Sequence, residues 1–390
     1  MDLRKQITLQ DVKRLFRLEG RGGASKQAKR AERPTYRELV GVKVGSSQVV
    51  AAHVVNNGSP ELKRVVREPL PSGVVVSGEL RKPQALTEVL ARLFAENDLP
   101  KNAARLGIAN DRVGVRAFEI AGAADDMQLE NAIRFRAQEL MPIPLEKVLL
   151  DYRVLESEVG DNGEPKSRVL LVVTHRELVD PYVTSFQEAG IGLVGVDLEA
   201  FALLRALAPT NGAGEAEGDP FAAVTVSIGH DRSTLAVTDG RVCEFARVVS
   251  WGGSALTTAV ASALAVPPTV AEALKKSVSL AGQQETLPGV DAAQLKSATD
   301  TVRRELHGFA RELVSSLQFY QSLPGSLPIG EIVVSGGTSA LDGIAAELAR
   351  LVAVPVRVGD PLHQVKVEPS VEVPEQRGSL AVAIGLGIEV

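Results

Sequence analysis

At 390 residues, with 45% of them hydrophobic, the chain is longer than one core fills and apolar enough to fold, so two or more lobes are expected. The lone cysteine, Cys243, excludes an internal disulfide and a zinc site built on paired thiolates, and no apolar run reaches the roughly eighteen residues of a membrane-spanning helix. The net charge of −5 is unevenly spread, because residues 1–35 hold ten Lys or Arg against four acids while the remainder is strongly acidic.

That basic arm is either a solvated tail or a contact for an anionic membrane face. Its single aromatic residue, Phe16, offers no stacking platform for single strands, so no nucleic-acid partner is expected. The folded body is expected to begin near Tyr36. Residues 40–50 read as an apolar strand, a turn at Gly45, Ser46 and Ser47, and a second strand. A turn-rich stretch, 69–78, leads into a helix over 83–97 with Leu86, Val89, Leu90, Leu93 and Phe94 at helical spacing. Two strands are expected around Asn110 and Asp111, then a helix over 126–141 that Pro142 and Pro144 stop. Strands over 148–155 and 168–173 complete a small α+β unit, expected as an insert spanning about 105–174.

Helix 176–190 and strand 191–196 follow, with Asp197 as the candidate cap of a helix over 198–207. Residues 209–220, rich in Gly, Glu, Asn and Pro, read as a linker. The plan then repeats. A strand, Gly229 and a strand occupy 223–238, followed by a strand over 242–250 holding Cys243 as a buried thiol, and Gly252-Gly253 open a helix over 254–265. Helices over 269–281 and 292–322 are expected within a helical subdomain at about 259–322, then a strand over 331–335 running into Gly336-Gly337 and a helix over 341–352. The apolar segment 379–388 is expected to close the second lobe.

Glycines at hairpin tips and helix starts let backbone approach an anion, which makes Gly45, Gly229, Gly252, Gly253, Gly336 and Gly337 candidate phosphate contacts. No Walker loop is present. The five histidines are scattered without metal-ligand spacing. From about Tyr36 onward this order of parts resembles the actin/Hsp70/sugar-kinase superfamily. In detail it resembles the type IV pilus assembly protein PilM family, itself similar to the cell-division protein FtsA. Residues 40–50, 69–78, 131–152, 196–202 and 334–337 carry the resemblance.

The resemblance implies an α/β, two-lobed actin-like body (a ribonuclease H-like duplication) with the α+β subdomain inserted in the first lobe. It further implies a cytoplasmic scaffold, peripheral at the inner face of the cytoplasmic membrane, that binds the N-terminal tail of a PilN-like inner-membrane protein. Other pilus-machine components and self-association are further expectations. Val113, Val115, Phe118, Met141, Pro142 and Ile143 are the candidate lining of the peptide groove, or else ordinary core. ATP or ADP is the implied cofactor, with Glu272 and Lys275 similar to ribose-contacting positions, or else a surface pair at i,i+3. Glu199 falls where a water-orienting acid would be, or is a first-turn residue favoured by the helix dipole.

The family pattern puts a carboxylate two residues before each hairpin glycine to hold magnesium, whereas this chain has Lys43 and Ser227 there. Magnesium-dependent hydrolysis therefore loses its support, with Asp231 as a candidate substitute acid. An active ATPase or kinase, and an FtsA-like membrane-associated division protein, are the alternative readings.

Overall fold

The computed structural model describes residues 36–123, 125–140, 144–159, 164–208, 220–282 and 291–389. The basic arm, linker positions 209–219 and Met141, Pro142 and Ile143 lie outside the described residues.

Strands β1 (Glu38–Val44), β2 (Gln48–Asn57) and β3 (Ser59–Pro69) form an antiparallel meander. The short pair β4 (Val75–Val76) and β5 (Glu79–Leu80) precedes helix α1 (Pro83–Glu96) and strand β6 (Ala104–Ile108). A small unit follows, with β7 (Gly114–Ala121), α2 (Asp126–Leu140), β8 (Val148–Val159) and β9 (Pro165–His175). Then come α3 (Arg176–Glu188), β10 (Leu193–Leu198) and α4 (Glu199–Leu207).

The second half opens with another meander, β11 (Ala222–Ile228), β12 (Ser233–Thr238) and β13 (Cys243–Val249). Helices α5 (Gly253–Leu264), α6 (Pro268–Ser277) and α7 (Ala292–Gln321) lead to β14 (Ile329–Ser335), a 3-10 turn at Gly337–Ala340 and α8 (Ile344–Val352). Strands β15 (Val356–Val358) and β16 (Lys366–Val367) and helix α9 (Ala381–Gly387) end the described chain.

Strand order exposes the duplication. The first sheet runs β3-β2-β1-β6-β10, with β16 beyond β3, and the second runs β13-β12-β11-β14-β15. In both, the first strand of the meander pairs in parallel with the next long strand, which pairs in parallel with the last. The Val-rich central strands β1 and β11 are buried almost throughout, as strands covered on both faces must be. Helices α5 and α6 bend by 108° against each other, and their apolar residues Leu256, Val260, Ala271 and Leu274 share one core with the second sheet and α7. Among the described residues no single helix is long and apolar enough to cross a membrane.

Three expectations are corrected. The strand expected at the start of the insert is β6, which lies in the first sheet between β1 and β10, so the small sheet β7-β9-β8 begins only at Gly114. All five β6 residues are buried, which suits a central parallel strand and not a hairpin edge.

The apolar segment at the chain's end is not part of the second half. It is helix α9, packed on β1, β2 and α4. Gly41 permits this, because a Cβ there would sit 2.1 Å from Ala383 O and 2.6 Å from Gly387 N. The fully buried Arg105 donates to Leu386 O (3.3 Å) and Ile388 O (3.1 Å) and pairs with Glu389, so a cation answers the carbonyl end of α9.

Asp197 is not a helix cap. It is the penultimate residue of β10, where Oδ1 accepts from Leu198 N at 2.7 Å and Oδ2 pairs with Arg205, a turn and a half along α4.

Candidate functional site

The turns after β1 and β11, the start of α5, helix α6 and the 3-10 turn after β14 converge on one cleft of about 280 Å³. Its walls include Gly45, Ser46 and Ser47 from the first turn, Gly229 from the second, Gly253, Glu272, Lys275 and Gly337. These residues lie up to 292 positions apart in sequence, and the two-sheet plan brings them together. Gly252 and Gly336 stand behind the wall. A Cβ on Gly252 would meet His230 O at 2.6 Å, and Gly336 has φ +88° with Ile228 O only 2.3 Å from where its Cβ would be. They shape the cleft without lining it.

The two turns are closed alike. Gly45 N donates to Gln48 O (2.9 Å) and Gly229 N to Arg232 O (3.0 Å). The first amides of α5 are also taken, since Gly253 N donates to Gly229 O (2.9 Å) and Ser254 N to His230 O (2.7 Å). These glycine amides therefore hold the frame rather than face a ligand.

At the hairpin end, Glu199 is only 2% exposed and lies between two cations. Its Oε2 is 3.6 Å from Lys43 Nζ and its Oε1 3.4 Å from Arg232 Nη2. Arg232 also pairs with Asp231 (3.2 Å) and donates to Val44 O (3.4 Å), while Asp231 Oδ2 accepts from Ser77 N at 2.8 Å. Burial alone would depress the Arg232 guanidinium, yet attraction first from Glu199 and then from Asp231 raises it above the ordinary arginine value. Sequence reasoning missed Arg232, because an arginine two residues past a hairpin tip reads as a solvated side chain. Its only signal is the company of Asp231 at the turn.

At the other end, Lys275 is not a surface residue. Its side chain is 12% exposed, and Nζ donates to Glu272 Oε2 (2.6 Å), Thr257 Oγ1 (3.0 Å) and Gly253 O (3.2 Å). Burial pushes the Glu272 carboxyl up, but hydrogen bonds from Lys275 and then Thr257 outweigh it and hold the group below the usual glutamate value.

The donor set does not fit magnesium. The carboxylates lining the cleft are Glu199, Asp231 and Glu272, and each is already paired with Lys or Arg. Among the described residues no three or more His, Cys, Asp or Glu group as metal ligands. Cys243 is buried, donates weakly to Phe245 O at 3.5 Å, and has its thiol pushed up by burial, as an inert strand thiol should.

The three groove candidates within the described residues divide between two hydrophobic cores. Val115 is 2% exposed and packs with Val113 into the first core, whereas Phe118 packs against the core of the small sheet. Strand alternation is the cause, since positions 115 and 118 on β7 point to opposite faces.

The sequence model of the type IV pilus assembly protein PilM family matches residues 41–390. The chain belongs to that family. A PilM–PilN type IV pilus biogenesis complex has a chain that superposes with a TM-score of 0.74 at 23% identity, covering 91% of this chain and 98% of that one. MreB5 of Spiroplasma citri, solved bound to ADP, superposes with a TM-score of 0.50 at 13% identity, covering 90% and 95%. Cell division protein FtsA of Escherichia coli K12 is 26% identical over 250 residues, 59% of this chain and 58% of FtsA. The match thus spans under two thirds of the FtsA length. The PilM-family fold is actin-like, as the paired sheets require.

Proposed function

We propose that the chain is a scaffold of a type IV pilus assembly machine that holds ATP or ADP in the cleft and binds the N-terminal tail of a PilN-like inner-membrane protein. The observation that carries the nucleotide reading is the convergence of Gly45, Ser46, Ser47, Gly229, Gly253, Glu272, Lys275 and Gly337 on one cleft. The ADP bound by MreB5, on a similar fold, supports it.

The partner reading rests on the family and on the PilM–PilN complex. The small unit suits the role, because α2 exposes Met127 (71%) and Phe135 (61%), apolar side chains that a folded chain leaves in water at a cost. A peptide with alternating apolar residues would cover them. In this reading the protein is cytoplasmic and reaches the inner face of the membrane through its partner or its basic arm. Nothing in the cleft favours turnover, since its acids are all neutralised.

Calorimetric titration of the full chain with a synthetic PilN-like tail tests the partner reading. Saturable binding that weakens in Met127→Glu/Phe135→Glu is expected; folded protein that takes up no tail would overturn it.

A further inference from the structure

Two features of the hairpin end are unexplained by folding. Ser46 Oγ and Ser227 Oγ both belong to residues lining the cleft, are buried, and have no hydrogen-bond partner among the described residues; the same holds for Arg232 Nε. A buried hydroxyl left this way is destabilising unless something else accepts its proton. The second feature is loose pairing. Lys43 and Arg232 stand 3.6 Å and 3.4 Å from Glu199, beyond the roughly 2.7–2.9 Å of a tight charge-assisted hydrogen bond, so neither cation is fully used.

Lining charges set the sign of the missing ligand. Lys43, Arg232, Lys275 and Lys276 face Glu199, Asp231 and Glu272, which leaves the cleft net positive before anything binds. A dication entering here would find no free carboxylate and would add to that charge, while a hard ion of this kind needs oxygen ligands that are not themselves held by ammonium groups. A multiply charged anion would meet the cations, and the two serine hydroxyls, buried just behind the cleft surface, would rotate to donate to it. Lysine serves as a mobile point charge and arginine as a fixed fork.

Resting on the nucleotide reading above, we infer that this cleft takes its polyphosphate without a divalent cation. Lys43 and Arg232 supply the positive charge, and Ser46 and Ser227 donate to phosphate oxygens. Lys43 swings its ammonium from Glu199 toward the phosphate, while Arg232, anchored by Val44 O and Asp231, stays in place. The nucleotide so bound ties the first turn to the second and, with every lining acid held by a cation, is kept intact.

The test is equilibrium dialysis of the full chain against labelled ATP, once with excess EDTA and once with excess magnesium chloride. Affinity at least about tenfold tighter in EDTA than in excess magnesium is expected, because magnesium sequesters in solution the bare polyphosphate that the cleft takes, and equal affinity in the two conditions overturns the inference. In EDTA, Lys43→Gln should weaken ATP by about thirtyfold, the lower end of what losing one partner of a buried charge pair costs. Ser46→Ala, which touches no ion pair, gives the same direction with about tenfold loss if Lys43→Gln does not fold. Binding that appears only with magnesium overturns this inference and leaves the nucleotide reading standing. Binding in neither condition overturns the nucleotide reading and this inference with it. Variants that bind as tightly as the native chain overturn the roles of Lys43 and Ser46.

Discussion

Arg232 Nη2 lies 3.4 Å from Glu199 Oε1, so an arginine at the turn of the second sheet reaches the acid that begins a helix of the first. Both groups are buried, and the arginine also donates to Val44 O at the end of β1. One side chain thus ties the two meanders together beneath the cleft.

Removing it should be costly. Arg232→Ala leaves Glu199 with Lys43 alone in a buried site, and breaking such a pair costs about 3–5 kcal/mol. Urea unfolding should report that loss. In a Glu199→Gln background the same change should cost clearly less, because the acid no longer needs a counter-charge. Additive losses in the double variant would show that the two residues act separately.

Gly41→Ala should release the C-terminal helix. The new methyl group would collide with backbone at Ala383 and Gly387, and overpacking of this kind costs about 1–3 kcal/mol or more. Limited proteolysis should then cut near α9 in the variant while sparing it in the native chain. Equal resistance would mean that β1 and α9 are not locked together.

Adjacent glycines at the entry to the 3-10 turn should behave differently. Gly336 holds φ +88° and ψ 175°, a conformation nearly confined to glycine, so Gly336→Ala should lose at least about 1–3 kcal/mol. A Cβ on Gly337 meets nothing within 4 Å, so Gly337→Ala should stay within about 0.5 kcal/mol of the native chain. Thermal melts of the two variants separate these outcomes.

Acid sensitivity should trace in part to Glu272. Its folded carboxyl lies below the ordinary 4.5, held there against burial by Lys275 and Thr257. A depressed carboxylate contributes stability that is full above the unfolded value and disappears as pH falls through the folded one. The stability of the native chain should therefore fall below pH 4.5 more steeply than that of Glu272→Gln. Parallel curves would deny the pair any role in acid unfolding.

Much of this plan was legible in the sequence because it is local. Gly45 and Gly229 each sit between apolar strands, and both turns close with the same backbone bond from that glycine. Glu272 and Lys275 were legible as a pair, but their burial depends on Thr257 and Gly253 in another helix, which spacing does not encode. Helix α9 was hidden for a related reason. Its glycines are poor helix formers, and only the close approach of α4 backbone to Gly385 and of Val54 on β2 to Gly387 makes them the right residues. Strand β6 was placed in the wrong sheet because period-two alternation says which face a residue takes and not which neighbour a strand pairs with. Arg232 was invisible because the partner that buries it lies 33 positions away, on the other sheet's side of the cleft.

The central claim is that the cleft between the two sheets holds a nucleotide, and isothermal titration of the full chain with ATP tests it most directly, alongside Gly337→Val. The account predicts saturable uptake of one nucleotide per chain, abolished in Gly337→Val with its unfolding transition in place, since Gly337 lines the cleft and a Cβ there meets no protein atom within 4 Å. Absence of saturable binding in the native chain, or binding that Gly337→Val leaves untouched, would contradict it.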